Sequence, residues 1–382
     1  MHNRWAILAV LFVARFAMAF QFQSIGALSP VLTTQSGLDL SDVGLLVGLY
    51  LAPGVLVALP GGALAGRWGE FRVVAGAMAL MLFGAALVIL NTSYPVMVLG
   101  RLVAGAGGVV LNVVMTKMLV DWFQGREIST ALAIFINSWP VGIAAALLLL
   151  PWAAQMGLSA PWWIVAGVIL VGLLLFVAGY RPAPDAAPSR MRRTGRLPWP
   201  GVILAGLVWA LYNAALAMVF SFGPAVLTAS GWTVVAAGTV TSAFMVVLSL
   251  ALPLGGIIAD RTGRGDLLIA ISLVGFLGLL GIPLLSPIWV AALFCAVGAV
   301  FALAGGPIIA LPSEVLPPDQ RTFGMGVYFT IYYAVMMIAP RMAGGVADSS
   351  GQAMVALVIG AGFAMAALAS LLLFRLQVSR GL

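Results

Sequence analysis

Arg15, Arg101 and Arg341 each interrupt a long apolar run of this 382-residue chain. An ionised side chain is costly in hydrocarbon, and by default it marks function there. Arg15 falls near the centre of its run. Arg101 and Arg341 fall roughly 10 Å outward from the centres of theirs, at 1.5 Å of rise per residue. Lys117 stands close to one end of its run, where it can snorkel to the interface. No Asp or Glu lies near the centre of any run; Asp121 and Glu314 close runs, and Asp39, Asp42 and Asp348 stand in or beside the breaks. Arginine keeps its proton, and its planar fork matches a carboxylate-like anion with two hydrogen bonds. Cations at depth without carboxylates at depth therefore point to an anionic ligand. Arg15 is the leading contact for it, and the alternative is a brace onto backbone carbonyls or tyrosines. Arg101 shares a helical stripe with Gly105, Gly108 and Asn112. Small residues on such a stripe let helices approach closely, so Arg101 reads first as a structural or gating residue. Arg341 reads as a gating residue on the access path.

Other polar and aromatic residues inside the runs can complete a binding surface. Gln23, Asn112, Asn137, Trp209, Tyr212, Asn213, Tyr328 and Tyr332 join Arg15 as candidate substrate contacts. Gln23 is about 80° from Arg15 on a helical wheel. Tyr328 and Tyr332, four apart, share a face. Each of these alone is equally consistent with a satisfied contact between helices. Counting removes other chemistry. The single cysteine, Cys295, excludes an intrachain disulfide, and the single histidine, His2, stands at the terminus. A His/Cys metal cluster and a Ser-His-Asp triad at membrane depth are therefore not expected, and no cofactor or enzymatic activity is.

Long apolar elements must position these residues. Apolar residues make up 63% of the chain and charged residues 8%, against about half and about a quarter in soluble domains. A spanning helix takes roughly 20 apolar residues, so about twelve fit with short loops. Continuous apolar stretches such as 144–150 exclude an outer-membrane barrel, whose strands alternate. Breaks at Gly, Pro and charge place the helices near 5–30, 42–66, 72–91, 95–120, 128–151, 160–180, 198–222, 234–259, 266–285, 288–313, 322–345 and 352–374. The first run is too long for a secretory signal, and Arg15 interrupts it.

The basic residues set the orientation. With the N-terminus inside, Arg4, Arg67, Arg72, Arg126, Arg181, Arg261, Arg264, Arg321 and Arg375 all fall on inner segments, and the outer loops carry no Lys or Arg. This bias predicts both termini in the cytoplasm and residence in the cell inner (plasma) membrane. The net charge of +7 reflects topology, and a nucleic-acid partner is not expected. Residues 181–197 hold Pro182, Pro184, Pro188, Arg190, Arg192, Arg193 and Arg196, a linker suited to anionic lipid headgroups. The expected architecture is an all-α membrane protein of twelve transmembrane helices in two pseudo-symmetric six-helix bundles. One bundle covers 1–180 and the other 198–382, joined by the cytoplasmic linker 181–197, in a monomer.

The halves repeat one another. Gly61, Gly62, Ala65, Arg67 and Gly69 recur at one constant spacing as Gly255, Gly256, Ala259, Arg261 and Gly263, and the same spacing relates Arg15 to Trp209. Asp121 and Arg126 have near counterparts in Glu314 and Arg321. Such repeats are common in transporters, with the substrate near mid-membrane. Gly256, Asp260, Arg261, Gly263 and Arg264 match in full the loop pattern Gly-x-x-x-Asp-Arg-x-Gly-Arg, and over its whole length the chain resembles the major facilitator superfamily. The first copy has Gly66 where that pattern has Asp. Arg101 with Gly105, Gly107 and Gly108 matches a second family element, while Trp139, Pro140 and Gly142 only hint at the antiporter pattern of helix 5. Arg15 followed by Ser29-Pro30 is similar to the cyanate and nitroimidazole-type transporters. The nitrate–nitrite porters use arginines in helices 2 and 8, and this chain has none there.

The resemblance implies alternating access and no enzymatic chemistry. On this reading the chain moves a small organic or inorganic anion. The alternative is proton-coupled export of amphipathic drugs through an apolar cavity. At the inner gate, Asp260, Arg261 and Arg264 are expected to meet Glu314, and Arg67 and Arg72 to meet Asp121.

Overall fold

The computed structural model describes residues 3–57, 65, 67–123, 127–183, 198–317 and 320–379. Gly61, Gly62, Gly66, Arg126, most of the linker with Arg190, Arg192, Arg193 and Arg196, and Arg380 lie outside the described residues. Among the described residues there is no strand, and twelve helices are long and apolar enough to cross a membrane. They are α1 (Arg4–Ala27), α2 (Leu40–Val57), α3 (Glu70–Leu90), α4 (Tyr94–Phe123), α5 (Thr130–Met156), α6 (Ala160–Gly179), α7 (Trp199–Ala229), α8 (Val234–Thr262), α9 (Gly265–Leu284), α10 (Pro287–Val315), α11 (Phe323–Ser350) and α12 (Met354–Ser379). The protein is an all-α membrane protein. α7 and α11 run past the ends expected at 222 and 345, with Pro224 and Pro340 inside them. Neighbouring groups at membrane depth re-satisfy the backbone that such prolines free.

The chain packs as two compact units, Met1–Leu28 with Leu46–Arg190 and Ser29–Leu45 with Met191–Leu382. In the first, α4 is the glycine-lined helix. A Cβ on Gly105 would stand 2.2 Å from the Tyr50 carbonyl oxygen of α2, and one on Gly108 2.7 Å from the Tyr50 hydroxyl. On another face, a Cβ on Gly107 would stand 2.3 Å from the Ala77 carbonyl oxygen of α3. α1 packs chiefly against α5 and α6, and Gly142 of α5 meets the Phe16 carbonyl, where a Cβ would stand 2.7 Å away. The stripe shared with Arg101 thus serves close approach, as small residues do between membrane helices.

In the second unit α7 is the central helix, packed on α12 and α11. α10 is interrupted after Ala302. Pro307 lacks the N–H that would bond the Leu303 carbonyl, and Gly255 of α8 comes against that same carbonyl, where a Cβ would stand 2.3 Å away. Segment Ser29–Leu45 belongs to this unit. Its contact with α11 is nearly backbone on backbone: a Cβ on Gly44 would stand 2.2 Å from the Pro340 carbonyl oxygen, and one on Gly344 2.1 Å from that of Leu40. The Asp348 carboxylate accepts from the Leu40 N–H at 3.0 Å and the Ser41 N–H at 2.7 Å. The Asp39 carboxylate accepts from the Asp42 N–H at 2.6 Å. Carboxylates thus satisfy amides that open α2 and favour the positive end of its dipole.

Two substitutions test this contact. Asp348→Asn keeps the shape but offers one acceptor oxygen in place of two, and should cost about 1 kcal/mol, the usual worth of an N-terminal cap. Gly344→Val puts side-chain atoms where the Leu40 carbonyl lies and should cost more. Melting temperatures of the purified variants, ranked wild type, Asp348→Asn, Gly344→Val in falling order, are the expected readout.

Candidate functional site

Arg15 lies on α1, half-buried. Its Nε donates to Asn112 Oδ1 at 2.9 Å, and its Nη1 donates to the Phe135 carbonyl at 2.9 Å and the Ile136 carbonyl at 3.0 Å. The guanidinium sits 4.8 Å from the centroid of the Phe135 ring. One of these acceptors follows directly from the sequence. Pro140, inside helix α5, cannot donate to the carbonyl four residues back. That carbonyl belongs to Ile136, and Arg15 takes it. Asn112 Oδ1 and the two carbonyls are neutral oxygens that orient its fork.

Arg101 is treated differently. It is 4% exposed. Nε donates to the Leu46 carbonyl at 2.9 Å, Nη1 to that of Gln21 at 2.8 Å and Nη2 to that of Phe22 at 2.8 Å. Its guanidinium lies 4.5 Å from the Tyr50 ring centroid. Every guanidinium nitrogen is thereby engaged, and the residue ties α1, α2 and α4 together. Gln21 adds to the same knot, donating to the Met81 carbonyl at 2.9 Å and accepting from the Tyr50 hydroxyl at 3.3 Å. Gln23 is buried, and Asn137 is half-buried. The structure brings Arg15 and Asn112 together, and it adds Phe135, Ile136 and Gln21, which sequence reasoning did not select.

In the second unit the aromatic candidates converge. Trp209 lies 5.9 Å from Tyr212 at 23° between planes, 6.3 Å from Tyr328 at 24° and 6.3 Å from Tyr332 at 41°. Tyr212 also stacks on Phe301 at 4.3 Å and donates to its carbonyl at 3.1 Å. Asn213 Nδ2 donates to the Trp209 carbonyl one turn back, at 2.8 Å. Trp209 Nε1 and the Tyr328 hydroxyl are buried and have no hydrogen-bond partner among the described residues.

The charged groups pair differently from the sequence expectation. Glu314 meets Arg375 of α12 at 2.5 Å, and the same guanidinium meets Asp266 at 2.6 Å. Asp121 meets Lys117 at 2.6 Å, and Lys117 also pairs with Glu70. The expected partners Arg67, Arg72, Arg261 and Arg264 are exposed and form no salt bridge among the described residues. The reason is reach: Lys117 sits one helical turn from Asp121, and the Arg375 fork spans two carboxylates at once. Asp260, Arg264, Asp266, Glu314 and Arg375 nevertheless line one cavity of about 600 Å³. The side chain of Arg341 is exposed.

Comparison with known proteins gives the same picture at the level of the whole chain. The profile of the Major Facilitator Superfamily matches residues 11–340 and 199–381. The chain is 26% identical to the probable nitrate/nitrite transporter NarK2 of Mycobacterium tuberculosis over 308 residues, 77% of this chain and 76% of that one. It is 27% identical to the inner membrane transport protein YajR of Escherichia coli over 153 residues, which are 39% of this chain and span only 33% of that protein's length. Among solved structures, a bacterial homologue of the human lysosomal transporter Spinster superposes with a TM-score of 0.76 at 16% identity, covering 99% of this chain and 97% of that one.

The charge pairs carry a prediction. Arg375→Ala leaves Asp266 and Glu314 without their shared cation. All three groups are about a third exposed or more, so the loss of stability should stay under about 1 kcal/mol. It should be largest in low salt and shrink as salt is added. Arg264→Ala, which breaks no pair, should leave the melting temperature unchanged at either ionic strength.

Proposed function

This chain belongs to the Major Facilitator Superfamily, and on that premise we propose that it is a secondary active or facilitative transporter of a small organic or inorganic anion. It works by alternating access in the cell inner (plasma) membrane with both termini cytoplasmic, as a monomer. The observation that carries the anion is Arg15, a half-buried guanidinium oriented by Asn112 and two backbone carbonyls. Arg101 is sealed by carbonyls and serves as a brace. Arg15 is half-buried in a low-dielectric setting, where an anion is the natural complement of a guanidinium. The nitrate/nitrite name of one relative supports the same class of cargo. No helix centre holds a carboxylate to carry a proton, which favours exchange or facilitated movement over carboxylate-mediated symport. The bundles 1–180 and 198–382 are the moving bodies, and the arginines of linker 181–197 rest on anionic headgroups.

Asn112→Asp tests this reading cleanly. The substitution is isosteric, so Arg15 stays braced, but its charge is now cancelled from within the protein. Anion binding, found by a thermal-shift screen of nitrate, formate, acetate and benzoate, should weaken by about 30-fold or more, the effect of about 2 kcal/mol or more at a buried charge pair. The melting temperature should hold or rise. Arg15→Lys should weaken binding less, since it keeps charge and loses the fork. Wild-type anion affinity in Asn112→Asp would overturn the proposal and turn attention to export of amphipathic drugs.

A further inference from the structure

We infer that Trp209 Nε1–H and Tyr328 Oη–H are donors kept for the cargo, and that the cargo is a planar conjugated carboxylate. The inference rests on the anion-transport reading above and specifies its substrate. A buried donor with no acceptor is destabilising, and native proteins leave few of them. Here two occur in one aromatic stack, 6.3 Å apart between ring centroids. Tyr328 is 0% exposed. The stack holds its own control: Tyr212, against the same indole, has found the Phe301 carbonyl. An acceptor was therefore available to one hydroxyl of the cluster and is withheld from its neighbour.

The chemistry of the two groups names the missing partner. An indole N–H donates and cannot accept, and a phenol hydroxyl donates readily. A ligand that meets both donors carries at least two acceptor oxygens. An ionised carboxylate supplies these with charge-assisted bonds, stronger than those of a neutral amide. The ring geometry adds the second part of the specification. Trp209 lies within 24° of both Tyr212 and Tyr328, and Trp209 and Tyr332 are each half-buried. The half-buried face of Trp209 offers a π-surface in that orientation, which a flat conjugated ligand matches in offset or edge contact. A cationic ligand would also be drawn to this face, but it would leave both donors unmet.

Stability and binding should move in opposite directions, which a purely structural role does not predict. The probes are benzoate, its saturated analogue cyclohexanecarboxylate, acetate and nitrate, read by thermal shift and by titration calorimetry on detergent-purified full-length protein. Wild type should bind benzoate about tenfold or more tightly than cyclohexanecarboxylate. Tyr328→Phe should raise the ligand-free melting temperature by about 2 °C and weaken benzoate about tenfold. Trp209→Phe, which keeps an aromatic face and loses the N–H, should weaken benzoate likewise. Tyr212→Phe should lower the ligand-free melting temperature, because its hydroxyl has a partner to lose. A lowered melting temperature in Tyr328→Phe, or equal binding of benzoate and its saturated analogue, overturns the inference. If acetate or nitrate binds, is lost in Asn112→Asp, and benzoate is no better, the inference falls and the transport reading stands. If no anion binds, both fall.

Discussion

A guanidinium surrounded by hydrocarbon must be solvated by the protein itself, and Arg101 shows what that requires. Three carbonyl oxygens, from Gln21, Phe22 and Leu46, each meet one of its nitrogens. They come from two different helices, and the aromatic floor beneath the group comes from Tyr50. The helices can supply those atoms only if their backbones come within side-chain reach of α4. Gly105 and Gly108 make room for Tyr50, and Gly107 makes room for α3. The glycine lining of α4 and the burial of its arginine are one arrangement. Without the glycines the carbonyls stand too far away, and without the arginine the close approach leaves a helix face with little to pack.

Arg15 is held by a second device, the removal of a donor. Pro140 leaves the Ile136 carbonyl with no helical partner, and Arg15 occupies it. The other unit uses the same principle for packing. Pro307 leaves the Leu303 carbonyl free of its helical donor, and Gly255 seats α8 against it. Proline at membrane depth here creates backbone acceptors at chosen points. The difference between the two arginines is then one of closure. Arg101 is enclosed, while Arg15 is half-buried with its fork aimed by Asn112 and two carbonyls.

The repeat is kept in one respect and abandoned in another. Each unit sets two carboxylates near one end, Glu70 with Asp121 and Asp266 with Glu314. The cation between them comes from α4 in the first case, as Lys117, and from α12 in the second, as Arg375. The electrostatic need is the same, and the chain meets it from different helices. At depth the divergence is greater. Where the first unit has Arg15, the second has Trp209 within a tyrosine cluster, so one repeat offers charge and the other offers flat surface and hydrogen-bond donors.

Much of this was legible in the residues alone. Helix number, near-positions and the lipid solvent follow from long apolar runs, because a backbone in hydrocarbon has few ways to satisfy its own polar groups. Arg15, Asn112 and the aromatic candidates could be selected because polar groups are rare at depth and each stands out. The glycine stripe beside Arg101 could be read as a contact face, since the helical period is a local property. What the sequence could not decide is who meets whom. The Lys117 and Arg375 bridges, the Asp348 cap on α2 and the unmet hydroxyl of Tyr328 depend on distances between segments far apart in the chain. Pro140 marked which carbonyl of α5 would be free, but only the packing of α1 against α5 determined that Arg15 would take it. Hydrogen bonding and charge pairing act over a few ångströms, and those last few ångströms are set by tertiary packing.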